Sequence, residues 1–188
     1  MSCWLFFHKA TSMIHFITSI LVLLSASTTI LFDFEKDSNP NSWRVVDDVV
    51  MGGRSSGNFE LNDDGHGHFF GSVSLENNGG FSSIRHRFAS ISTTEYSKVI
   101  LRLKGDGKKY QFRLKSSARD YFSYVYSFST SGKWETIEIP FSEFYPSWRG
   151  QKLDMPNYAP GELEEVAFLI ANYKNEDFDL EVDKIELR

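Results

Sequence analysis

The feature that most constrains this chain is a two-residue alternation of apolar and polar side chains, repeated in short runs between turn residues. Val99, Leu101 and Leu103 fall on one side of such a run, with Arg102 and Lys104 on the other. Tyr110, Phe112 and Leu114 likewise oppose Gln111, Arg113 and Lys115. A period of two sends alternate side chains to opposite faces of an extended strand, as a sheet with one buried face requires. The spacing predicts strands over 30–34, 43–46, 58–61, 68–75, 81–88, 98–104, 110–115, 122–128, 134–139, 165–170 and 178–187. Asp63-Asp64-Gly65, Asn78-Gly79-Gly80, Gly105-Asp106-Gly107 and Ser131-Gly132 supply turns between them. Many short strands with no helical stretch between them predict an all-β fold, an antiparallel jelly-roll β-sandwich. Only 142–144 has helical character, and it is too short for more than a turn. In the last run Phe178, Leu180 and Val182 are even-numbered while Ile185 and Leu187 are odd, so a β-bulge is expected at Asp183-Lys184.

Residues 1–27 read as an N-terminal leader, a signal peptide or anchor, ahead of a single domain over 28–188. Lys9 gives a weak positive region, and Ile14 to Leu24 form an apolar run broken by His15, Thr18 and Ser19. Ser25-Ala26-Ser27 then offers small residues for cleavage after Ser27; Met13 is an alternative start. The run is shorter than the roughly 20 residues of a spanning helix. Cleavage predicts an exported protein, periplasmic or extracellular, and an uncleaved leader predicts a membrane-anchored one. The Arg-rich pattern of a mitochondrial transit peptide is absent. Cys3 is the single cysteine, so a cleaved chain has no thiol chemistry at all. The formal charge of −5 argues against a general nucleic-acid binder, although it leaves room for a local basic patch.

Two segments stand apart from the alternation. Asp47-Asp48-Val49-Val50-Met51-Gly52-Gly53, followed by Ser55, makes a poor strand and a worse helix, and reads as a shaped loop. The second is Phe70-Gly71-Ser72-Val73-Ser74-Leu75-Glu76-Asn77-Asn78-Gly79-Gly80-Phe81, running on to Arg85. With Gly105 to Tyr110, Gly132-Lys133-Trp134, Ile139 to Phe144 and Pro146-Ser147-Trp148-Arg149-Gly150, their order and spacing resemble the complex I intermediate-associated protein 30 family. The resemblance covers about Ile30 to Arg188. It departs from the family pattern at Asn175-Glu176-Asp177, where a glycine usually precedes the strand's phenylalanine. It implies a galactose-binding-like sandwich, similar to many carbohydrate-binding modules. It also implies a role like that of the family's mitochondrial members, which assist assembly of NADH:ubiquinone oxidoreductase.

The candidate partner- or ligand-binding residues are Asp48, Met51, Gly52, Gly53 and Ser55 from the first segment. Asn78, Gly79, Gly80, Phe81 and Arg85 come from the second, and Trp148 and Arg149 from a loop. Glycines let a partner's backbone approach, Arg85 suits a carboxylate or phosphate, and Phe81 and Met51 give adaptable apolar contact. An internal Asp48–Arg85 ion pair bracing the two segments is the alternative. Trp148 beside Arg149, with Tyr158, suits a stacked sugar ring or a protein hot spot. Phe122, Tyr124, Tyr126 and Phe128 share a strand face and read as core.

Metal readings are weaker. His66-Gly67-His68 has ligand spacing, but the next acid is Glu76, too distant for a cupin-like site. Asp33, Glu35 and Asp183 are candidate ligands for a structural calcium between the first and last strands. No other cofactor is expected. Nucleophile-elbow, phosphate-loop, dinucleotide and zinc-protease motifs are absent, so no enzymatic activity is expected. The expected role is a non-enzymatic module binding another protein, an assembly or chaperone-like factor whose partner is a respiratory-complex assembly intermediate. The alternative is an extracytoplasmic carbohydrate-binding module with a glycan partner.

Overall fold

A computed structural model describes residues 28–188, the side chains of Val50 and Met51 excepted; the leader expected over 1–27 lies outside them. Thirteen strands follow one another in the described chain. They are β1 (Thr29–Asp33), β2 (Trp43–Asp47), β3 (Ser56–Leu61), β4 (Gly67–Val73), β5 (Ser82–Ser92) and β6 (Lys98–Gly105). Next come β7 (Lys109–Lys115), β8 (Ser123–Ser129), β9 (Glu135–Pro140) and β10 (Tyr145–Trp148). The last are β11 (Gln151–Lys152), β12 (Glu162–Ile170) and β13 (Glu176–Leu187).

The strands form two sheets in which every pairing is antiparallel. One runs β3-β4-β13-β6-β9 with β1 added on β13; the other runs β11-β10-β8-β7-β12-β5-β2. The predicted alternation decides which face of each sheet turns inward. Leu101, Leu103, Leu180, Val182 and Ile185 of the first sheet meet Tyr110, Phe112, Leu114, Val166 and Phe168 of the second, all fully buried. Each such apolar side chain contributes about 1.5–3 kcal/mol on leaving water. At one end Phe32, Phe34, Trp43 and Phe59 pack ring on ring, with centroids 4.4 to 5.9 Å apart.

The parity change in the last strand is a bulge: the register of β13 against β6 shifts between Val182 and Lys184. Three of the four expected aromatics of β8 belong to the core, with Phe128 buried and Tyr124 and Tyr126 packed against the cluster; Phe122 lies just outside the strand, half-buried against Tyr121 and Tyr124. Tyr158 corrects the loop reading. It is buried, and its hydroxyl shares a 2.8 Å hydrogen bond with Thr93. Strands β10 and β11 go beyond the predicted set. Pro146 reads against a strand, yet a proline is tolerated in a short ribbon near a sheet edge.

Candidate functional site

The two unusual segments meet around Asp48, whose side chain is fully buried. Asp48 opens a 3-10 turn, Asp48–Met51, that Gly52 closes with a φ of +90°. Its carboxylate accepts hydrogen bonds from the backbone N–H groups of Ser55 (3.0 Å), Gly80 (2.6 Å) and Phe81 (3.1 Å), and from the Ser55 hydroxyl. Burial pushes its pKa up, but these donors outweigh burial and hold it below the usual carboxylate range. Asp47 braces the same junction, accepting from Gly57 N–H (2.9 Å) and Ser82 hydroxyl (2.5 Å). Two glycines exist to let Asp48 in. A Cβ on Gly53 would lie 2.2 Å from its Oδ1, and one on Gly79 2.7 Å from its Oδ2.

This geometry corrects the expected Asp48–Arg85 pair. Backbone and hydroxyl donors fill the Asp48 carboxylate, and Arg85 instead reaches the Ser83 hydroxyl at 3.4 Å. Asp48, Gly53 and Ser55 are buried bracing rather than surface. Gly52 and Asn78 are exposed at the loop tips, and the Met51 side chain lies outside the described part. The remaining candidates converge elsewhere. Gly79, Gly80, Phe81, Arg85, Trp148 and Arg149 all line one cleft of about 750 Å³ on the solvent face of the seven-stranded sheet.

The floor of the cleft is the polar side of the alternation: Gln111, Arg113 and Lys115 from β7, Ser123, Val125 and Ser127 from β8, Leu169 from β12. Its walls are loops. The β10–β11 hairpin turns through Arg149 and Gly150, both at positive φ (+49° and +78°). That turn sets the Arg149 guanidinium 4.8 Å over the Trp148 ring. Trp148 meets Tyr121 edge-on at 5.9 Å. Across the cleft, Tyr173 also sits at positive φ (+58°), and its hydroxyl comes within 3.5 Å of where a Gly150 Cβ would lie. Tyr121, Trp148 and Tyr173 are 65%, 44% and 82% exposed, an uncommon set of large rings left to solvent at one rim.

The cations of the cleft were single residues in the sequence and are a group in the fold. Lys109, Arg113, Lys115 and Arg149 join Arg85 in the lining, which contains no Asp, Glu, His or Cys. Burial lowers Arg113 to about 10, with Arg85 adding to the effect, and burial also moves Arg85 and Lys115 below their usual values. The signal in the sequence was the polar side of the 110–115 run. What it lacked was the register that brings β5, β7 and β12 together.

The calcium expectation is corrected. Asp33 pairs with Lys184 (3.0 Å), and Asp183 pairs with Arg102 (2.9 Å) and faces His66 (3.6 Å), so the two acids are neutralised separately. Glu35 is exposed. His68 stacks on Phe70 and reaches Asp179 at 3.2 Å, while His66 lies against Trp134. Among the described residues, no three His, Cys, Asp or Glu side chains gather in a way that would hold a metal ion.

Comparison with known proteins adds two likenesses. The model of the family described as "Complex I intermediate-associated protein 30" matches residues 32–182. A Drosophila melanogaster protein named "Complex I intermediate-associated protein 30, mitochondrial" is 28% identical, covering 89% of this chain and 65% of its own length. The mouse protein of the same name is 22% identical, over 83% of this chain and 55% of its own. This chain therefore spans under two thirds of both relatives. An uncharacterized Schizosaccharomyces pombe protein is 26% identical over 83% of this chain and 82% of its own. Among solved structures, the family 11 carbohydrate-binding module of the Clostridium thermocellum cellulase Lic26A-Cel5E is similar, with a TM-score of 0.64 and 22% identity. The match covers 87% of this chain and 95% of that one. The same family's module in complex with a β-1,3-1,4-mixed-linked tetrasaccharide also aligns at 0.64, with 21% identity over 87% of this chain and 96% of that one. These structures share the β-sandwich fold.

Proposed function

The chain belongs to the complex I intermediate-associated protein 30 family, and from that premise we propose that it is a non-catalytic binding module. It acts as an assembly factor and holds a protein partner, a respiratory-complex assembly intermediate, in the cleft of its seven-stranded sheet. The observation that carries this reading is the cleft lining. Exposed rings and cations are typical of protein hot spots. Carboxylates, imidazoles and thiols, the groups that most often do acid–base or nucleophilic work, are missing from it. The names of the Drosophila and mouse relatives support a role at complex I.

Affinity capture from native extract tests this reading. Wild-type protein is expected to retain a respiratory-complex intermediate, and the Trp148→Ala, Arg149→Ala double variant to lose it with an unchanged melting curve. Equal capture by both proteins overturns the cleft as the partner site.

A second reading has its own observation in favour. Tyr121, Trp148 and Tyr173 present ring faces beside a cleft of saccharide size, in a fold shared with a module solved with a tetrasaccharide. A glycan array on the same protein decides: binding lost on Trp148→Ala supports a carbohydrate-binding role. Location is part of the choice. The leader pattern over 1–27 supports export or anchoring, whereas the Drosophila and mouse relatives are named as mitochondrial. Fractionation of the native host, with the N-terminus read by mass spectrometry, separates the two.

A further inference from the structure

Three arginines lie in one row across the cleft face. Arg44 on β2 is directly opposite Arg85 on β5, Arg85 is opposite Ala167 on β12, and Ala167 is opposite Arg113 on β7. With strands about 4.8 Å apart, the row spans roughly 14 Å. A smaller cleft of about 130 Å³, lined by Ser42, Arg44, Arg85 and Arg87, shares Arg85 with the large one, so the cationic surface is continuous. Like charges placed opposite one another across strands are destabilising, and a row of them needs a reason.

The neighbouring row has an internal answer. Glu165, only 3% exposed, lies opposite Arg87 on one side and Lys115 on the other, and accepts from Arg87 Nε at 2.5 Å. The arginine row has no carboxylate of its own; Glu165 in the next row attracts Arg85 from beyond ion-pair distance. Among the described residues no acid lies within ion-pair distance of Arg44, Arg85 or Arg113. Arg113 donates from Nε and Nη2 to the single Gln111 Oε1, at 3.0 and 2.6 Å, and Arg85 donates to the Ser83 hydroxyl. A guanidinium carries more N–H groups than one amide oxygen can satisfy, and its planar fork matches a carboxylate. The cations gather here although the chain as a whole carries a formal charge of −5, so the cleft is a positive patch on an acidic protein.

We propose that the cleft binds an extended acidic segment of the partner protein, with carboxylates seated on Arg85 and Arg113 and the segment running towards Arg44. The proposal rests on the reading of the cleft as the protein-binding site. Side chains on one face of an extended chain recur about every 7 Å, so acids at alternate positions meet guanidinium groups one or two strands apart. The protein's own residues 1–27 do not complement the row, because their sole formal charge is Lys9. Tyr121, Trp148 and Tyr173 stand where such a segment would cross the rim.

The probe is a fluorescent peptide of about six glutamates, long enough to span the row, against the full chain. Binding is expected near about 50 mM NaCl and lost by about 500 mM, as for a charge-dominated contact. Arg85→Gln and Arg113→Gln should each weaken it at least about tenfold. Both variants should melt no lower than wild type, since each loses an unpaired cation. Lys98→Gln, on the opposite sheet, should bind as wild type does. Binding no tighter than that of a glutamine peptide overturns the proposal, as does indifference to both arginine variants. Tighter binding of an oligogalacturonate than of the peptide also overturns it, and makes the ligand an acidic glycan. Partner capture separates the levels. Capture that survives Arg85→Gln, Arg113→Gln but fails in Trp148→Ala, Arg149→Ala overturns the charge proposal alone. Capture indifferent to every cleft variant overturns the cleft reading with it.

Discussion

A carboxylate closed off from solvent is tolerable only if donors surround it, and Asp48 has four: three backbone N–H groups and a serine hydroxyl. Asparagine keeps the shape but turns an NH₂ towards N–H groups that need an acceptor. Asp48→Asn should therefore lose on the order of 3 kcal/mol, about 6–12 °C of melting temperature in a domain of this size. The pH dependence has a fixed sign. The folded pKa of Asp48 lies below its unfolded value of about 3.9, so its contribution is present above about pH 4. It disappears as pH falls through the lower, folded value. Denaturant melts from pH 6 down to about pH 2 should show a steeper acid loss in wild type than in Asp48→Asn. Equal slopes would mean that the carboxylate is not ionised in its cradle. At this scale the sequence was half readable. Both acids and the glycines stood out as unusual, but the true partners of Asp48 are mostly main-chain groups, which no residue type advertises. Arg85, 37 residues further along the chain, looked like the natural counter-ion only because its charge is written in its side chain.

The β10–β11 hairpin shows what can be read of an element and what cannot. Its two central residues both have positive φ, the pattern of a type I′ turn, for which Asn-Gly is the preferred pair. Arg149 takes the first position against that preference. Arg149→Asn should stabilise the hairpin by roughly 0.5–1 kcal/mol while weakening partner capture, because it removes the guanidinium over Trp148. Thermal melts and capture on the same variant check the trade; a gain in both would deny Arg149 a binding role. Pro146 hid this ribbon in the sequence, since a proline looks like a strand breaker whatever edge it lies near. The bulge in β13 was open to view, because a parity change in buried residues has few other causes.

Over the whole molecule, the two sheets share a core but not a surface. The six-stranded sheet balances its outward charges locally: Lys98 with Glu138, Arg102 with Asp183, Lys104 with Glu181, Lys184 with Asp33. With Asp33 and Asp183 already neutralised by cations, chelators should leave the melting temperature unchanged, which scanning calorimetry with and without EDTA measures. A drop on chelation, restored by calcium, would return a metal to the edge of β1. The seven-stranded sheet leaves its arginine row unbalanced. That asymmetry was beyond the reach of composition, which reports an acidic chain. Arg44, Arg85 and Arg113 are far apart in sequence, and only strand order makes them neighbours. The sandwich itself was legible, since it needs only alternation and turns.

The placement of β13 also matters during synthesis. It is the last of the described strands to be made, yet it pairs with β4 and β6 on its two sides and with β1 beyond the end of β4. Until it leaves the ribosome, β4 and β6 each expose a full row of unpaired amides and carbonyls, an invitation to pair with another chain. The six-stranded half therefore closes in a single late event, when Glu176 to Leu187 slide between edges already waiting. Nascent chains stalled before Glu176 should be digested by protease throughout, and chains released past Leu187 should resist. Protection appearing before the stall point reaches β13 would show that the seven-stranded sheet folds alone.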